Sequence, residues 1–280
     1  MAVKVAVTGA GGGLGRALLR AAADHEVRGF TRGDLDVRSL GDVRDAIERL
    51  KPDVVVHCAA MTKVDACEED PQRAAETNVL GSFNVAVAAR RAGALLVAIS
   101  TDYVFGGEQE EPYDERALPN PLSVYARTKY AGEAVALAVS EDALVVRTAW
   151  VFGAGDDFFS KAVTTLAGGG EVGGIADQIG SPTFVDHLAE RLLPLADSGI
   201  RGVVHLSGVE PVTWYEALVR AKRLGDLSGE VVAKKAGELD RPAPRPANSA
   251  LTSVVLPGSG IPPMPPLDEG LREVIRRVGG

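Results

Sequence analysis

The stretch Thr8-Gly9-Ala10-Gly11-Gly12-Gly13-Leu14-Gly15 follows a short apolar run and precedes a helical pattern. A glycine-rich turn between a buried strand and a helix is typical of dinucleotide-binding loops. One glycine makes the tight turn, one lets backbone N–H groups approach a pyrophosphate, and one lets the helix pack on the sheet. We assign these roles to Gly9, Gly12 and Gly15. We expect Gly13 and Leu14, at the positive end of the helix, to bind the cofactor as well.

Short apolar runs alternate with helical patterns through the first half of the chain. A near-continuous apolar run indicates a strand that is buried on both faces of a parallel sheet. The alternation predicts right-handed βαβ units and an α/β fold with a doubly wound parallel sheet of the Rossmann type. The predicted strands are Lys4–Val7, Val27–Thr31, Val54–Cys58, Leu95–Ser100 and Leu144–Arg147, and the predicted helices are Leu14–Ala23, Val43–Leu50, Pro71–Arg91 and Val124–Val139.

The regular alternation weakens after Trp150. Glycines at 168–170 and 173–174 predict loops, residues 203–206 predict one more strand, and residues 214–224 predict a helix. The proline-rich segment 241–266 excludes long regular elements. We therefore predict a nucleotide-binding domain over residues 1–150. Residues 151–280 are expected to form mainly a small, loop-rich, substrate-binding lobe, with interleaved returns to the sheet.

Composition and charge exclude several classes of partner. The 280 residues carry a formal net charge of −8 and 46% hydrophobic residues. No basic cluster indicates binding to nucleic acid or to an anionic membrane. The apolar run at the N-terminus is too short for a signal peptide, and no stretch approaches the roughly 20 apolar residues of a membrane helix. We expect a cytoplasmic protein in which Cys58 and Cys67 are reduced thiols, and we predict no metal site.

The end of the second strand bears on the choice of cofactor. An acidic residue there would bind the ribose 2′-hydroxyl of NAD, whereas an arginine would accommodate the 2′-phosphate of NADP. Here Arg32 follows the strand, with Asp34 and Asp36 shortly after it. The pattern favours NADPH, with NADH as the alternative.

Three residues indicate carbonyl reduction. Tyr125 and Lys129 are four residues apart on a predicted helix and so share one face, and Thr101 ends the fourth strand at the edge where ligands bind. Tyr125 would donate a proton to a carbonyl oxygen as hydride arrives at carbon. The Lys129 ammonium would lower the pKa of Tyr125 and hold the nicotinamide ribose. The Thr101 hydroxyl would polarise the ketone.

The chain resembles the extended short-chain dehydrogenase/reductases, and within them the dTDP-4-dehydrorhamnose reductase family. The matching segments run in order over nearly the whole chain. They are residues 8–15, 35–37, 57–65, 78, 100–105, 125–133, 147–152, 177–183 and 245–251, and the segments STDYVF (100–105) and DQIGSPT (177–183) are more specific than the glycine loop.

The resemblance implies a role for each matching residue. Thr101, Tyr125 and Lys129 would be the catalytic set. The cofactor would be bound by Gly9, Gly12, Gly13, Leu14, Gly15, Arg32, Asp36, Val37, Cys58, Ala59, Ala60 and Asn78, together with Tyr125 and Lys129. The substrate would be bound by Met61, Val64, Asp102, Tyr103, Trp150, Gln178, Ser181, Thr183 and Asn248. The family reduces the ketone of a dTDP-linked 4-keto-6-deoxy sugar, so a nucleotide sugar is the expected substrate. The sequence leaves the assembly open, with a homodimer as one alternative.

Some residues also have structural interpretations. Trp150 is equally compatible with a core aromatic, and the segment 177–183 with a polar turn. His57 and His205 end apolar strands and are interpreted as core histidines. Met61 and Ala149 stand where the family often has tyrosine and serine, which leaves the identity of the sugar open.

Two other functions are compatible with the same scaffold. One is a sugar-nucleotide epimerase or dehydratase, which uses its bound cofactor without net consumption. The other is a non-catalytic regulatory subunit, resembling the beta subunit of methionine adenosyltransferase. The complete Thr–Tyr–Lys set and the segment 177–183 favour the reductase.

Overall fold

The apolar run near the N-terminus lies inside a six-stranded sheet in the computed structural model, which describes residues 3–279. All neighbours in this sheet are parallel, in the order β10-β5-β4-β3-β1-β2. Its strands are β1 (Lys4–Thr8), β2 (Glu26–Phe30), β3 (Val54–His57), β4 (Leu95–Thr101), β5 (Leu144–Thr148) and β10 (Gly202–His205). The remaining strands are β6 (Val151–Phe152), β7 (Glu171–Ile175), β8 (Ile179–Gly180), β9 (Thr183–Phe184), β11 (Val212–Thr213) and β12 (Glu230–Lys234). The predicted doubly wound α/β fold is confirmed.

Both faces of the sheet are covered by helices. Val5 and Val7 of β1 lie in one core, and Ala6 between them lies in the other, so the centre of the strand is apolar. The helices are α1 (Gly13–Ala21), α2 (Leu40–Leu50), α3 (Val64–Glu69), α4 (Pro71–Ala75), α5 (Gly81–Ala92), α6 (Val124–Val139), α7 (Phe158–Ala167), α8 (Val185–Asp197), α9 (Trp214–Gly225) and α10 (Leu267–Gly279). None of the helices between residues 3 and 279 is long and apolar enough to span a membrane.

The long helix predicted over residues 71–91 is interrupted. A π-helical turn, Glu76–Leu80, separates α4 from α5. The sequence pattern gave no sign of this turn or of α3. A π turn adds one residue to the helical repeat, which re-aims side chains and is frequent at functional sites.

The expectation of a loop is confirmed at residues 168–170, which connect α7 to β7, but it was wrong at 173–174, because β7 occupies 171–175 and pairs with β12. Its Gly174 lies so close to α9 that a Cβ there would be 2.6 Å from the Cα of Tyr215. Helices α7, α9 and α10 enclose a third apolar core, which contains Phe152, Phe159 and Leu271. The second half therefore has more regular structure than its glycines and prolines predict.

Candidate active site

The glycine loop closes tightly on the end of β3. Gly9 has φ +72°, and a Cβ there would lie 2.6 Å from the backbone nitrogen of Ala59. A Cβ on Gly15 would lie 2.4 Å from the carbonyl oxygen of Gly9, so α1 packs directly on the loop. Helix α1 starts at Gly13 without a side-chain cap, which leaves backbone N–H groups at its N-terminus for an anion.

A cavity of about 580 Å³ extends from this loop across the carboxyl ends of β1, β2 and β3. Its wall contains most of the predicted cofactor residues, and also Met61, which the resemblance assigns to the substrate. The wall is formed by Gly9, Gly11, Gly12, Arg32, Leu35, Asp36, Val37, Arg38, Cys58, Ala59, Ala60, Met61, Thr62, Lys63, Ala66, Arg73 and Thr77. The cations Arg38, Lys63 and Arg73 were not predicted.

The charged side chains that follow β2 differ in whether they already have a hydrogen-bonding partner. Arg38 donates through Nε and Nη2 to the carboxylate of Asp36, and its hydrogen bonds lower the pKa of Asp36 to about 2. Asp34, the other predicted acidic candidate, accepts hydrogen bonds from the backbone and the hydroxyl of Thr31. Arg32 forms no ion pair within residues 3–279, so its charge is available to a ligand.

Asn78 lies beside the cavity without lining it. Its Oδ1 accepts from the backbone N–H of Met61, and its Nδ2 donates to the carbonyl oxygen of Met61 and to Thr128 Oγ1. The π turn thus directs Asn78 to clamp one wall of the cavity to α6.

The three predicted catalytic residues come together at the end of β4. Helix α6 begins after Ser123, whose side chain accepts from the backbone N–H of Ala126, and this start sets the phase of Tyr125 and Lys129. Thr101 lies close to the Tyr125 phenol and opposes the rise of its pKa that burial causes. Burial raises the pKa of Cys58, in the cavity wall, to about 12, and the nearby Lys129 charge opposes this rise, so the trio adjoins the cavity.

The pKa shifts of this trio correct one expectation. Burial lowers the pKa of Lys129 to about 8, and its Nζ donates to the carbonyl oxygen of Ile99 at 2.7 Å. The pKa of Tyr125 was expected to fall below its ordinary value, but burial raises it and outweighs the opposing effect of Thr101.

Asp102 and Tyr103 follow Thr101 directly. The Asp102 side chain is 2% exposed, and both of its oxygens accept hydrogen bonds from within the chain. The Tyr103 ring packs edge-on against Tyr125, with 6.1 Å between centroids. Arg241 and Arg245 oppose the raised pKa of Tyr103. These two arginines add positive charge beside the trio. They lie in the proline-rich segment, where no regular sequence pattern predicts the position of a side chain.

Arg245 is held in place by an acidic partner. Its Nη1 and Nη2 donate to the two carboxylate oxygens of Asp65. Arg241 is exposed and forms no ion pair within the described part of the chain. Partial desolvation of its guanidinium and the charge of Arg245 lower the pKa of Arg241.

Trp150 stacks on Trp214 with 4.3 Å between ring centroids and an interplanar angle of 8°. Its backbone has φ +45°, and its buried Nε1 has no hydrogen-bond partner in residues 3–279. A Cβ on Gly180 would lie 2.2 Å from the Trp150 ring. The tryptophan is therefore fixed by the lobe and carries an unused donor.

Other predicted substrate residues use their polar groups inside the fold. Ser181 exchanges hydrogen bonds with the backbone of Leu251, and Thr183 bonds to Ser181 and Gly208. The amide of Asn248 donates to two carbonyl oxygens, and its Oδ1 accepts from the N–H of Ala250. Gln178 is buried, and Val64 begins α3.

The two histidines interpreted as structural are buried and hydrogen-bonded, as expected. His57 Nδ1 lies 2.7 Å from Thr8 Oγ1, and His205 Nδ1 lies within hydrogen-bond distance of two carbonyl oxygens. No group of three or more His, Cys, Asp or Glu suited to a metal ion occurs among residues 3–279.

Comparisons with known proteins place the whole described chain in one family. The family model described as the RmlD substrate binding domain matches residues 3–279. The dTDP-4-dehydrorhamnose reductase of Mycolicibacterium smegmatis is 37% identical, over 100% of this chain and 87% of that protein. A probable dTDP-4,6-dihydroxy-2-methyloxan-3-one 4-ketoreductase of Streptomyces antibioticus is 38% identical, over 95% and 92%. The solved dTDP-4-dehydrorhamnose reductase of Bacillus anthracis, in complex with NADP, has TM-score 0.94 and 32% identity, and the match covers 99% of this chain and 100% of that one.

Proposed function

The chain belongs to the RmlD family of dTDP-4-dehydrorhamnose reductases, and from this premise we propose that it uses NADPH to reduce the 4-keto group of a nucleotide-linked 6-deoxyhexose. The observation that carries the proposal is the meeting of Thr101, Tyr125 and Lys129 beside the glycine-lined cavity. Relatives that carry names of dTDP-linked ketosugar reductases support dTDP-L-rhamnose or a related deoxysugar as the product.

The cavity fits a dinucleotide. Side chains are absent where the loop faces the cavity at Gly9, Gly11 and Gly12, and Gly9 leaves no space for a Cβ against Ala59. The uncapped start of α1 would hold the pyrophosphate, Asp36 and Val37 would border the adenosine, and Arg32 would contact the 2′-phosphate. Bound NADPH supplies the hydride for the carbonyl carbon.

Tyr125 is the proposed proton donor to the carbonyl oxygen. Its raised pKa means that the phenol carries its proton at neutral pH, which suits it to act as a general acid in the reduction. Burial lowers the pKa of Lys129 to about 8, which is still above 7. Its ammonium form therefore predominates at pH 7 and would hold the nicotinamide ribose.

The lobe is proposed to hold the nucleotide sugar. The half-buried indole of Trp150 offers an apolar surface to the sugar, and Arg241 supplies a charge suited to a diphosphate. In this proposal residues 1–150 bind the cofactor. Residues 151–280, apart from β10, which returns to the sheet, mainly bind the substrate. A homodimer and a cytoplasmic location remain predictions.

The test is a panel of dTDP- and UDP-linked 4-keto-6-deoxyhexoses, assayed by loss of reduced-cofactor absorbance with NADPH and with NADH. Tyr125→Phe is expected to lower kcat by about 10²–10⁴-fold with nearly unchanged NADPH affinity, because only the proton donor is lost. Tyr130→Phe is the matched control, since Tyr130 is exposed on the same helix. A fully active Tyr125→Phe enzyme contradicts the mechanism.

The same absorbance assay, together with a pull-down experiment, separates the two other functions. Conversion of a sugar without net loss of NADPH would indicate an epimerase or dehydratase. Capture of a methionine adenosyltransferase catalytic subunit, together with no ketone reduction, would indicate a regulatory subunit.

A further inference from the structure

Asp102 is a buried carboxyl group at the candidate site for which the reduction itself needs no role. Thr101 Oγ1 donates to its Oδ1 at 3.1 Å, and Ser249 Oγ donates to its Oδ2 at 2.5 Å. Ser249 comes from the other half of the chain and is itself buried. Its backbone N–H donates to the carbonyl oxygen of Ile179, so its position is fixed by the lobe.

The hydrogen bonds of Thr101 leave it little freedom. A threonine hydroxyl has one proton to donate and two lone pairs that accept. The proton of Thr101 goes to Asp102, and one lone pair accepts from the backbone N–H of Tyr103 at 3.2 Å. The remaining lone pair is the one hydrogen-bonding position that Thr101 keeps open beside the Tyr125 phenol. While Asp102 is ionised, Thr101 therefore has no proton for a ketone.

On the basis of the proposed reductase function, we propose that Asp102 is a positioning residue. It fixes the direction of the Thr101 hydroxyl by accepting its proton, so that Thr101 presents only a lone pair beside the Tyr125 phenol. Ser249 keeps the Asp102 carboxylate in this orientation. The C-terminal half thereby sets the direction of the Thr101 hydroxyl beside the proton donor.

The arrangement depends on pH. Burial raises the pKa of Asp102 to about 7, and the Ser249 and Thr101 hydrogen bonds oppose this rise. The charge of Asp102 raises the pKa of both Tyr125 and Tyr103, while Arg241 and Arg245 face Tyr103. The Nζ of Lys129 donates to the carbonyl oxygen of Ile99, which lies on β4. Protonation of Asp102 removes an acceptor for Thr101 and frees its hydroxyl to turn, so kcat is expected to fall below about pH 7.

The test compares pH profiles of kcat for the wild type, Asp102→Asn and Ser249→Ala. Loss of the Ser249 hydrogen bond should move the acid limb to higher pH by about one unit, since hydrogen bonds to a charged group contribute about 1.5–3 kcal/mol. Asp102→Asn should lose the limb and lower kcat by about tenfold or more, with KM for NADPH within about twofold. Ser253→Ala is the control, because Ser253 also donates to a carboxylate, Glu115, outside the site.

A second readout does not require turnover. Carboxyl-labelled aspartate gives a ¹³C resonance that titrates with Asp102 and is absent in Asp102→Asn, and its midpoint should rise in Ser249→Ala. If the wild type is inactive but the midpoint still rises in Ser249→Ala, the proposed function is contradicted and the Ser249–Asp102 contact is not. An active wild type with the same acid limb and the same midpoint in Ser249→Ala overturns the role of Asp102. If Asp102→Asn does not fold, Ser249→Ala decides by both readouts.

Discussion

Arg32 and Arg38 lie in the same wall of the cofactor cavity but differ in their partners. Arg38 is bound to Asp36 and lies 3.6 Å from Glu76, so its charge is already balanced. Arg32 is exposed and adds its positive charge to the environment of Asp36 from a distance. A phosphate monoester carries between one and two negative charges at neutral pH, and Arg32 can meet it without breaking an existing pair.

Arg32→Ala is expected to weaken binding of NADPH by roughly tenfold, because a hydrogen bond to a charged group contributes about 1.5–3 kcal/mol. Binding of NADH should change by less than about twofold, since it lacks the 2′-phosphate. Fluorescence titration with both cofactors measures the difference. Arg44→Ala is the control, because Arg44 is paired with Asp45 outside the cavity. Equal loss for both cofactors would assign Arg32 a different role.

Among the individual residues, the sequence predicted those whose position is set by spacing within one element. The glycine loop and the Tyr125–Lys129 pair are recognisable because their spacing within one element determines where they lie. Asn248, Ser181 and Thr183 have the same polar character as binding residues, yet the structure commits them to backbone groups distant in sequence. Only the folded chain shows which hydrogen bonds are already made.

At the scale of elements, a buried ion pair joins α6 to β5. Arg147 donates through Nε and Nη2 to Glu133, which also accepts from Ser100 Oγ on β4. Both charged side chains are nearly fully buried. Glu133 lies one turn after Lys129 and opposes the lowering of its pKa. The pair thus fixes the helix that carries Tyr125 and Lys129 against the sheet.

Glu133→Gln is expected to lower the free energy of unfolding by about 3–5 kcal/mol, because it leaves the Arg147 charge buried without its partner. The double variant Glu133→Gln/Arg147→Met should recover much of this loss, because no unpaired charge remains. Urea unfolding at pH 7 measures both. Glu273→Gln, which breaks exposed pairs with Arg276 and Arg277, should cost less than about 1 kcal/mol. A small loss in Glu133→Gln, similar to that of Glu273→Gln, would contradict the expected burial cost.

Elements were predicted well where local sequence signals mark them, as in α6, whose bounds 124–139 match. They were missed where tertiary contacts override local propensity. Gly270 lies inside α10, where a Cβ would come within 2.7 Å of the Phe184 side chain. Glycine is needed there for close packing, although in sequence it indicates a helix end. The π turn at 76–80 similarly has no local signal.

For the whole molecule, His57 and Asp102 affect acid stability in opposite directions. Burial, assisted by the Lys129 charge, lowers the pKa of His57 to about 3, so the unfolded chain binds more protons between about pH 3 and 6.5. The His57 contribution is therefore complete above pH 6.5 and is lost as the pH falls. The pKa of Asp102 is raised to about 7, so the folded chain binds the extra proton between about pH 4 and 7, and acid stabilises it.

These two contributions should nearly cancel in the wild type. Each shift is worth about 1.4 kcal/mol per pH unit within its window, or about 3 kcal/mol between pH 7 and 4.5. Asp102→Asn should therefore lose about 3 kcal/mol more stability than the wild type over this range. His57→Asn should instead become more stable, relative to the wild type, as the pH falls. Urea unfolding of the cofactor-free protein at both pH values measures the differences. Because the two variants move the same curve in opposite directions, parallel curves for all three proteins would show that neither buried group titrates with folding.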